Sequence, residues 1–120
     1  MNRDINIVEH IIIHCKRIIE KTENISEEEF LKDRDCMEIV CFNFLQAGEL
    51  VKLLSKEYCE IYLNNSLLRI AKLRDKIAHG YGTIKFNKIF QYTKNDIVKL
   101  LNACEKSLPI LKKDNIWYHM

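Results

Sequence analysis

The residues of this 120-residue chain that are best suited to chemistry lie between Arg69 and Lys88. This stretch holds six basic residues and one acid, Asp75, although the formal net charge of the whole chain is only +2. Clustered positive charge attracts phosphate groups. The sequence therefore predicts a phosphate-bearing partner for the six, which are Arg69, Lys72, Arg74, Lys76, Lys85 and Lys88.

Three side chains in this basic stretch have the chemistry that a phosphodiester reaction needs. Arg74 can bind phosphate oxygens bidentately, and His79 can transfer a proton near neutral pH. Tyr81 adds a phenol two residues after the histidine. Positions 74 and 79 differ by about 140° around an α-helix. They meet in one site if the last helical turn unwinds, if the arginine reaches around, or if two copies of the chain build the site together.

Each candidate also has a structural interpretation. Arg74 lies in the middle of an apolar arc of its predicted helix, so it could pair with an acid such as Glu49 and hold two helices together. His79 stands at a predicted helix end, where a histidine favours the helix dipole. His10 and His14 have an i, i+4 spacing that can hold a metal. Because both lie off the apolar stripe of their helix, we expect two solvated histidines and no metal site.

The elements that position these residues are predicted to be helices. Three glycines and one proline leave little material for the tight turns of a β protein. An apolar share of 48% with 30% charged residues suits a folded domain with its own core. No apolar run approaches the roughly 18 residues of a membrane span, and the N-terminus does not resemble a signal peptide. We expect a cytoplasmic, all-α protein that does not contact a membrane.

The cysteines support the same interpretation. They are five, an odd number, and no two have a C-x-x-C spacing. The pattern excludes a disulfide framework and a zinc ribbon, and it favours a reducing compartment. We expect no cofactor.

Hydrophobic spacing predicts an up-down antiparallel bundle of four main helices in one domain, residues 1–113. A tail at 114–120, with Trp117 and Tyr118, is expected to be loosely held. The third helix is predicted to end at Gly80 and Gly82, with glycine in the left-handed cap conformation. The first helix is expected over 3–22. The second begins with a capping box at Ser26 and has a long part at 33–57. The third runs from an N-cap at Asn65 or Ser66 to His79, and the fourth covers 84–113 with a break at 93–96.

The long part at 33–57 carries two apolar faces on opposite sides of the helix. One face can join the core of the chain, and the other needs a cover. Another helix of the bundle or a second copy of the chain could supply it, and we favour the second copy because a small bundle seldom surrounds one of its helices. The first face consists of Met37, Val40, Cys41, Phe44, Gly48 and Val51, and the second of Ile39, Phe42, Leu50 and Leu53.

Residues 74–81, Arg-Asp-Lys-Ile-Ala-His-Gly-Tyr, resemble the signature of the HEPN superfamily. The fuller form R-x4-H-x-Y is that of the HepT-like toxins. The similarity extends along nearly the whole chain and includes residues 28–31, the Gly48-Glu49 pair, residues 84–90 and the Asn95-Asp96 region. Two positions depart from the pattern. Asp75 stands where HepT-like toxins usually have asparagine, and Leu67 or a neighbour replaces a common tryptophan.

This resemblance implies an all-helical homodimer whose two signatures face one cleft, with metal-independent cleavage of RNA by toxin members. Arg74 and His79 would be the catalytic pair: His79 acts on the ribose 2′-hydroxyl or the leaving oxygen, and Arg74 stabilises the charged phosphorus centre. Tyr81 matches the tyrosine that an MNT-type nucleotidyltransferase antitoxin adenylylates. The residues expected to support this site are Glu49, Lys72, Asp75 and Lys76.

A second function class remains open at this point. The chain could be a non-catalytic HEPN-like helical module that binds a nucleotidyltransferase partner or a nucleotide without cutting RNA. A purely structural bundle, with Arg74 in a core ion pair, is the third alternative. No base-reading motif indicates which RNA would be cut.

Overall fold

The computed structural model describes residues 2–114, except for the side chains at positions 2, 65, 66 and 81. Every regular element in this range is helical, which confirms the all-α prediction. The tail with Trp117 and Tyr118 lies outside the described residues. The helices are α1 (Asn2–Thr22), α2 (Glu27–Lys32), α3 (Arg34–Leu53), α4 (Lys56–Tyr62), α5 (Asn65–His79), α6 (Phe86–Lys94) and α7 (Asp96–Asp114), with a 3-10 turn (Tyr81–Thr83) between α5 and α6.

Four long helices make the main packing contacts. Helix α1 packs against α3 and α7, and α3 packs against α5 on its other side. The buried stripe of α1 includes Val8, Ile11, Cys15 and Ile18, as its three- and four-residue spacing predicts. The site-bearing helix α5 is therefore held mainly by α3.

The capping box at Ser26 is present. The Glu29 N–H donates to the Ser26 hydroxyl, and the Ser26 N–H donates to the Glu29 carboxylate, both at 3.1 Å. Helix α2 is only six residues long because Asp33 follows it in an extended conformation. The Asp33 carboxylate then accepts the Cys36 N–H at 3.0 Å and starts α3. Two side-chain caps readable in the sequence thus place both helix starts.

The two apolar faces predicted for residues 33–57 are present on α3. Val40, Cys41 and Phe44 of the first face are buried. On the second face, Phe42 is 56% exposed and Leu53 is 46% exposed. Leu50 of this face is half-buried against the core, so within the described part of one chain only Ile39, Phe42 and Leu53 stay open to solvent.

The prediction of one helix through residue 57 is wrong. Helix α3 ends at Leu53, and Ser55 starts the short helix α4, which was not predicted. The buried Asp4 of α1 causes the break: its carboxylate accepts the Ser55 N–H at 2.8 Å and the Ser55 hydroxyl at 2.6 Å. The Ser55 hydroxyl in turn accepts the Tyr58 N–H. A contact between residues 51 positions apart therefore ends α3.

The ends of α5 differ from the prediction in two details. Asn64, not Asn65 or Ser66, is the N-cap, and its side chain accepts the Leu67 N–H at 3.0 Å. The helix ends at Gly80 as expected, but Gly80 has φ −131°, so the left-handed cap is wrong. A Cβ at Gly80 would lie 3.1 Å from the Lys76 carbonyl oxygen and from the Thr83 hydroxyl. A side chain at this position would therefore require the turn to shift by a few tenths of an ångström.

The predicted break at 93–96 is confirmed, since α6 ends at Lys94 and α7 begins at Asp96. Asp96 is buried and accepts a hydrogen bond from Arg69 of α5 at 2.7 Å. This ion pair ties the α6–α7 junction to the helix that carries the candidate site.

The five cysteines are all reduced, and four of them are buried. Burial raises the pKa of Cys41 and Cys104 to about 11, so both are neutral small hydrophobes at ordinary pH. Within residues 2–114, no helix is long and apolar enough to cross a membrane.

Candidate functional site

Arg74 lies on α5 with its side chain only 26% exposed. Its Nε atom is 3.2 Å from the Glu49 carboxylate of α3, and one terminal nitrogen donates to the Asp75 carboxylate at 3.0 Å. The pairing with Glu49 that the apolar arc suggested is therefore present. The guanidinium stands between two acids.

The contact between Arg74 and Glu49 has the distance of an ion pair but lacks the angles of a hydrogen bond. Arg74 Nε and Glu49 Oε2 are both buried and have no hydrogen-bond partner among the described residues. A buried polar atom without a hydrogen bond costs about 1–3 kcal/mol. The pair is balanced in charge but not satisfied in hydrogen bonding, so either atom gains if a better partner arrives.

Gly48 explains how Arg74 can lie so close to α3. A Cβ at Gly48 would be 2.4 Å from the Cβ of Arg74 and 3.1 Å from the Ile70 carbonyl oxygen. Real Cβ atoms do not approach this closely, so only glycine permits this separation between α3 and α5. The same close approach brings Glu49, the next residue, to the guanidinium.

Lys52 of α3 completes this group. Its ammonium is 3.2 Å from the Asp75 carboxylate and 3.9 Å from the Glu49 carboxylate. The pKa of the Asp75 carboxyl is held below its ordinary value, mainly by the hydrogen bond from Arg74 and secondly by the hydrogen bond from Lys52. We call Gly48, Glu49, Lys52, Arg74 and Asp75 the Arg74 corner. It contains two cations and two anions.

His79 is the last residue of α5, and its exposed side chain borders a cleft of about 520 Å³ between α5 and α6. The 3-10 turn after Gly80 leads the chain from one helix to the other. We call this depression the His79 cleft. It is lined by Leu73, Lys76, Ile77, His79, Gly80, Thr83, Ile84, Lys85, Lys88, Ile89 and Tyr92.

The predicted catalytic pair is not brought together within one chain. Arg74 contacts α3 and does not line the His79 cleft, as the 140° separation on the helix predicts. Lys76 lines the cleft, whereas Lys72 is exposed on α5 outside it. Tyr81 begins the 3-10 turn. Its side chain, which is the predicted modification site, lies outside the described part of the structure.

Sequence reasoning included Lys85 and Lys88 in the basic stretch but missed Ile89 and Tyr92 and the wall that the four residues form on this side of the cleft. Lys85, Lys88, Ile89 and Tyr92 follow the spacing i, i+3, i+4, i+7, which places them on one helical face. That spacing was readable in the sequence. The spacing did not show that this face of α6 is turned toward His79.

The two histidines of α1 have separate partners. His14 Nδ1 lies 2.8 Å from the Asn43 side-chain oxygen, and His10 Nδ1 lies 2.8 Å from the Asn6 carbonyl oxygen. His10 is exposed, but His14 is half-buried, so the prediction of two solvated histidines is wrong for His14. Among the residues with described side chains, no group of three or more His, Cys, Asp or Glu is arranged to hold a metal ion.

Comparison with known proteins gives a consistent result. The model of a family described as "Ribonuclease HepT-like" matches residues 11–107. A relative from Caldanaerobacter subterraneus subsp. tengcongensis, named "Putative RNase", is 32% identical over 108 residues, covering 89% of this chain and 93% of the relative. A relative of the same name from Methanocaldococcus jannaschii is 31% identical over 96 residues, covering 80% of this chain and 79% of the relative. No solved structure matches the chain.

Proposed function

The chain belongs to the HepT-like ribonuclease family, and we propose that it is the toxin of a toxin-antitoxin pair that cleaves RNA without a metal ion. The observation that carries this proposal is the position of His79, exposed at the rim of a cleft that also contains three lysines. A proton-transfer group beside clustered positive charge suits a phosphodiester substrate.

In the proposed reaction, the ribose 2′-oxygen attacks the adjacent phosphorus and the bond from phosphorus to the 5′-oxygen breaks. His79 takes the proton of the 2′-hydroxyl or gives a proton to the leaving 5′-oxygen. Arg74 stabilises the negative charge that grows on the phosphate oxygens. To do so, its guanidinium must exchange a contact with Glu49 or Asp75 for the phosphate. The contact with Glu49 lacks hydrogen-bond geometry, whereas that with Asp75 is a hydrogen bond, so the Glu49 contact is the easier one to exchange.

We propose that two copies of the chain build the complete site. The exposed apolar face of α3 would form the interface, because Ile39, Phe42 and Leu53 are large and open to solvent. Positions 42, 49 and 53 lie on one arc of the helix, so Glu49 borders this face. A homodimer through α3 would therefore have an Arg74 corner from each copy at its edge. Within each copy, the four long helices would form the up-down bundle.

Silencing by an MNT-type nucleotidyltransferase antitoxin belongs to the same proposal. Tyr81 follows His79 by two residues and begins the 3-10 turn. An AMP group attached there would add bulk and negative charge beside the basic cleft and would oppose RNA binding. Co-expression with the antitoxin should add the mass of one or more AMP units to the chain, and a Tyr81→Phe variant should gain none.

The test of catalysis uses the purified protein and RNA in the presence of EDTA. We expect wild-type protein to cut RNA, and His79→Ala to lower the rate by about 10²–10⁴-fold, the usual contribution of a general acid or base. His10→Ala is the matched control, because His10 is also an exposed histidine, and it should retain full activity. If the wild-type chain leaves RNA intact, the catalytic proposal is wrong.

The test of the dimer is the solution mass of variants on α3. Phe42→Glu should convert the dimer to a monomer, because it places a charge in the proposed apolar interface. Ile110→Glu is the control, since Ile110 is a similarly exposed apolar residue on α7. A wild-type monomer, or dissociation by the control alone, contradicts the α3 interface.

One observation favours the alternative of a non-catalytic module that binds a nucleotidyltransferase or a nucleotide. Arg74 is already neutralised by Glu49 and Asp75, which reduces its attraction for phosphate. This alternative predicts intact RNA with wild-type protein, and His79→Ala and Arg74→Ala variants that bind the partner normally. Binding of the partner measured by calorimetry, beside the cleavage assay, separates the two functions.

A further inference from the structure

We propose that the His79 cleft is a nucleotide subsite, in which the apolar floor takes the base and the lysines of the rim take the phosphates. The inference rests on the proposed function in treating RNA as the source of the nucleotide. It adds a place for the nucleotide next to the bond that His79 acts on.

The floor of the cleft is apolar and well packed. Leu73, Ile77 and Ile89 belong to the buried core, and Ile84 is half-buried beside them. The volume of about 520 Å³ lies within the range of about 300–1,000 Å³ that is usual for small-molecule sites. The flat face of a base can cover this floor without leaving a buried polar group of the protein unpaired.

The rim carries charge that the chain does not neutralise. Lys76, Lys85 and Lys88 are exposed, and none of them forms an ion pair with the residues that the structure describes. Among the residues with described side chains, no acid lines the cleft. Lys85 is also the N-cap of α6 and provides no side-chain cap. Three unpaired cations around an apolar floor match a ligand with an apolar body and several negative charges, which is the chemistry of a nucleotide.

Tyr92 gives the cleft an aromatic lining residue whose ring contacts a fixed cation. The Arg69 guanidinium lies 5.8 Å from the centre of the Tyr92 ring. Arg69 is itself fixed by the buried Asp96, whose carboxylate is 2.7 Å away. The contacts from Asp96 to Arg69 to Tyr92 position the ring before a ligand arrives. A preorganised aromatic ring is the usual partner of an unpaired base.

The proposal can be tested by methyl NMR on the full chain labelled at isoleucine methyl groups. Three probes are titrated separately: AMP, a short single-stranded oligoribonucleotide and inorganic phosphate. A base in the cleft should shift the methyl signals of Ile77, Ile84 and Ile89 through its ring current. Ile110, an exposed isoleucine on α7, is the internal control and should not move.

Variants at Tyr92 identify the aromatic contribution. Tyr92→Leu should weaken AMP binding about tenfold, the order expected for one base–aromatic contact, whereas Tyr92→Phe should restore it. Tyr62→Leu is the matched control, because Tyr62 packs against Tyr58 on α4, away from the cleft. Equal binding by Tyr92→Leu and wild-type protein contradicts the subsite.

Each outcome of the titrations is decisive. Shifts of these methyl signals with both nucleotide probes support the subsite. Shifts with the oligoribonucleotide alone mean that the ligand is an RNA strand. Shifts with AMP alone mean that the ligand is a mononucleotide. No shift with either nucleotide, or equal shifts with inorganic phosphate, overturns the proposal. The shifts do not require cleavage. Wild-type protein that leaves RNA intact therefore contradicts only the proposed function, and protein that cuts RNA without these shifts contradicts only the subsite.

Discussion

The Arg74 corner and the His79 cleft are both built on α5, where Arg74 and His79 are five residues apart. Positive charge is neutralised in the corner and left unpaired in the cleft. In the corner, the cations Arg74 and Lys52 each contact a carboxylate. In the cleft, three lysines have no acidic partner among the described residues. A phosphate can bind at the cleft without displacing anything. At the corner it must compete with Glu49 and Asp75.

Because of this difference, the cleft is suited to binding RNA and the corner to stabilising charge during the reaction. The cleft can attract and hold an RNA strand through charges that are already free. The corner keeps its guanidinium oriented between two acids until a phosphate exchanges with one of them. Both acids are about half exposed, so water can solvate a carboxylate that is displaced. Substitutions that give one region the charge pattern of the other, or that remove the residue on which the corner depends, test this difference.

Gly48→Ala should damage the corner most. Its new Cβ would lie 2.4 Å from the Arg74 Cβ, so α3 and α5 must move apart. We expect the free energy of unfolding to fall by about 2 kcal/mol, because overpacking outweighs the roughly 1 kcal/mol that alanine gains over glycine in a helix. Denaturant titration measures the change. RNA cleavage should fall as well, while binding of AMP in the cleft stays near the wild-type level.

Gly82→Ala is the matched control for this variant. A Cβ at Gly82 has no neighbour within 4 Å, so we expect a change in stability of less than about 0.5 kcal/mol. Equal destabilisation by both substitutions would contradict the role of Gly48 in the close approach of Arg74.

Lys88→Glu makes the cleft resemble the corner, because it places an acid among the lysines. We expect RNA affinity to fall about tenfold, and the dependence of binding on salt to become weaker by about one ion per lost phosphate contact. Fluorescence anisotropy at several salt concentrations measures both. Lys106→Glu on α7 makes the same charge change at another exposed lysine. A similar loss in that control would show that net charge alone, and not the cleft, attracts RNA.

Asp75→Asn makes the corner resemble the cleft, because it removes one of the two acids beside Arg74. We expect RNA affinity and cleavage rate to rise about threefold as the guanidinium becomes freer for phosphate. Stability should fall only slightly, since Asp75 is half exposed. Unchanged binding would mean that Asp75 does not compete with phosphate for Arg74.

The same residue predicts a pH dependence. The Asp75 carboxyl has its pKa lowered from the ordinary 3.8 in the folded chain, so the unfolded chain binds the proton more tightly. Its stabilising contribution is complete above pH 3.8 and is lost as the pH falls through the lower folded-state pKa. The difference in unfolding free energy between wild-type protein and Asp75→Asn should therefore disappear in acid. A difference that grows in acid would contradict this sign.

Features that depend on local chain chemistry could be predicted well. The capping box at Ser26 and the buried stripe of α1 follow from side chains three or four residues apart, and the structure has both. The unusual position of Arg74 in an apolar arc also led to its partner, Glu49, because a half-buried cation needs a nearby acid.

Features that depend on distant contacts could not be predicted in this way. Residues 33–57 read as one helix, because nothing in that segment indicates that the Asp4 carboxylate will capture Ser55. For Ser55 the deciding atoms belong to another helix, 51 positions earlier in the chain. Gly80 is a miss of another kind, because the sequence predicted a left-handed cap and the residue has φ −131°.

The amino-acid sequence alone shows that this chain is helical, that one stretch concentrates its positive charge, and that Arg74 and His79 lie about 140° apart around a helix. These properties follow from helix periodicity and from the order of residues along the chain. Only the tertiary structure decided which of the charges are neutralised. Gly48 lets α3 bring Glu49 and Lys52 to Arg74, whereas α6 brings Tyr92 and two more lysines to His79. The physical reason is that ion pairing depends on distances between helices, which the spacing within one helix does not specify.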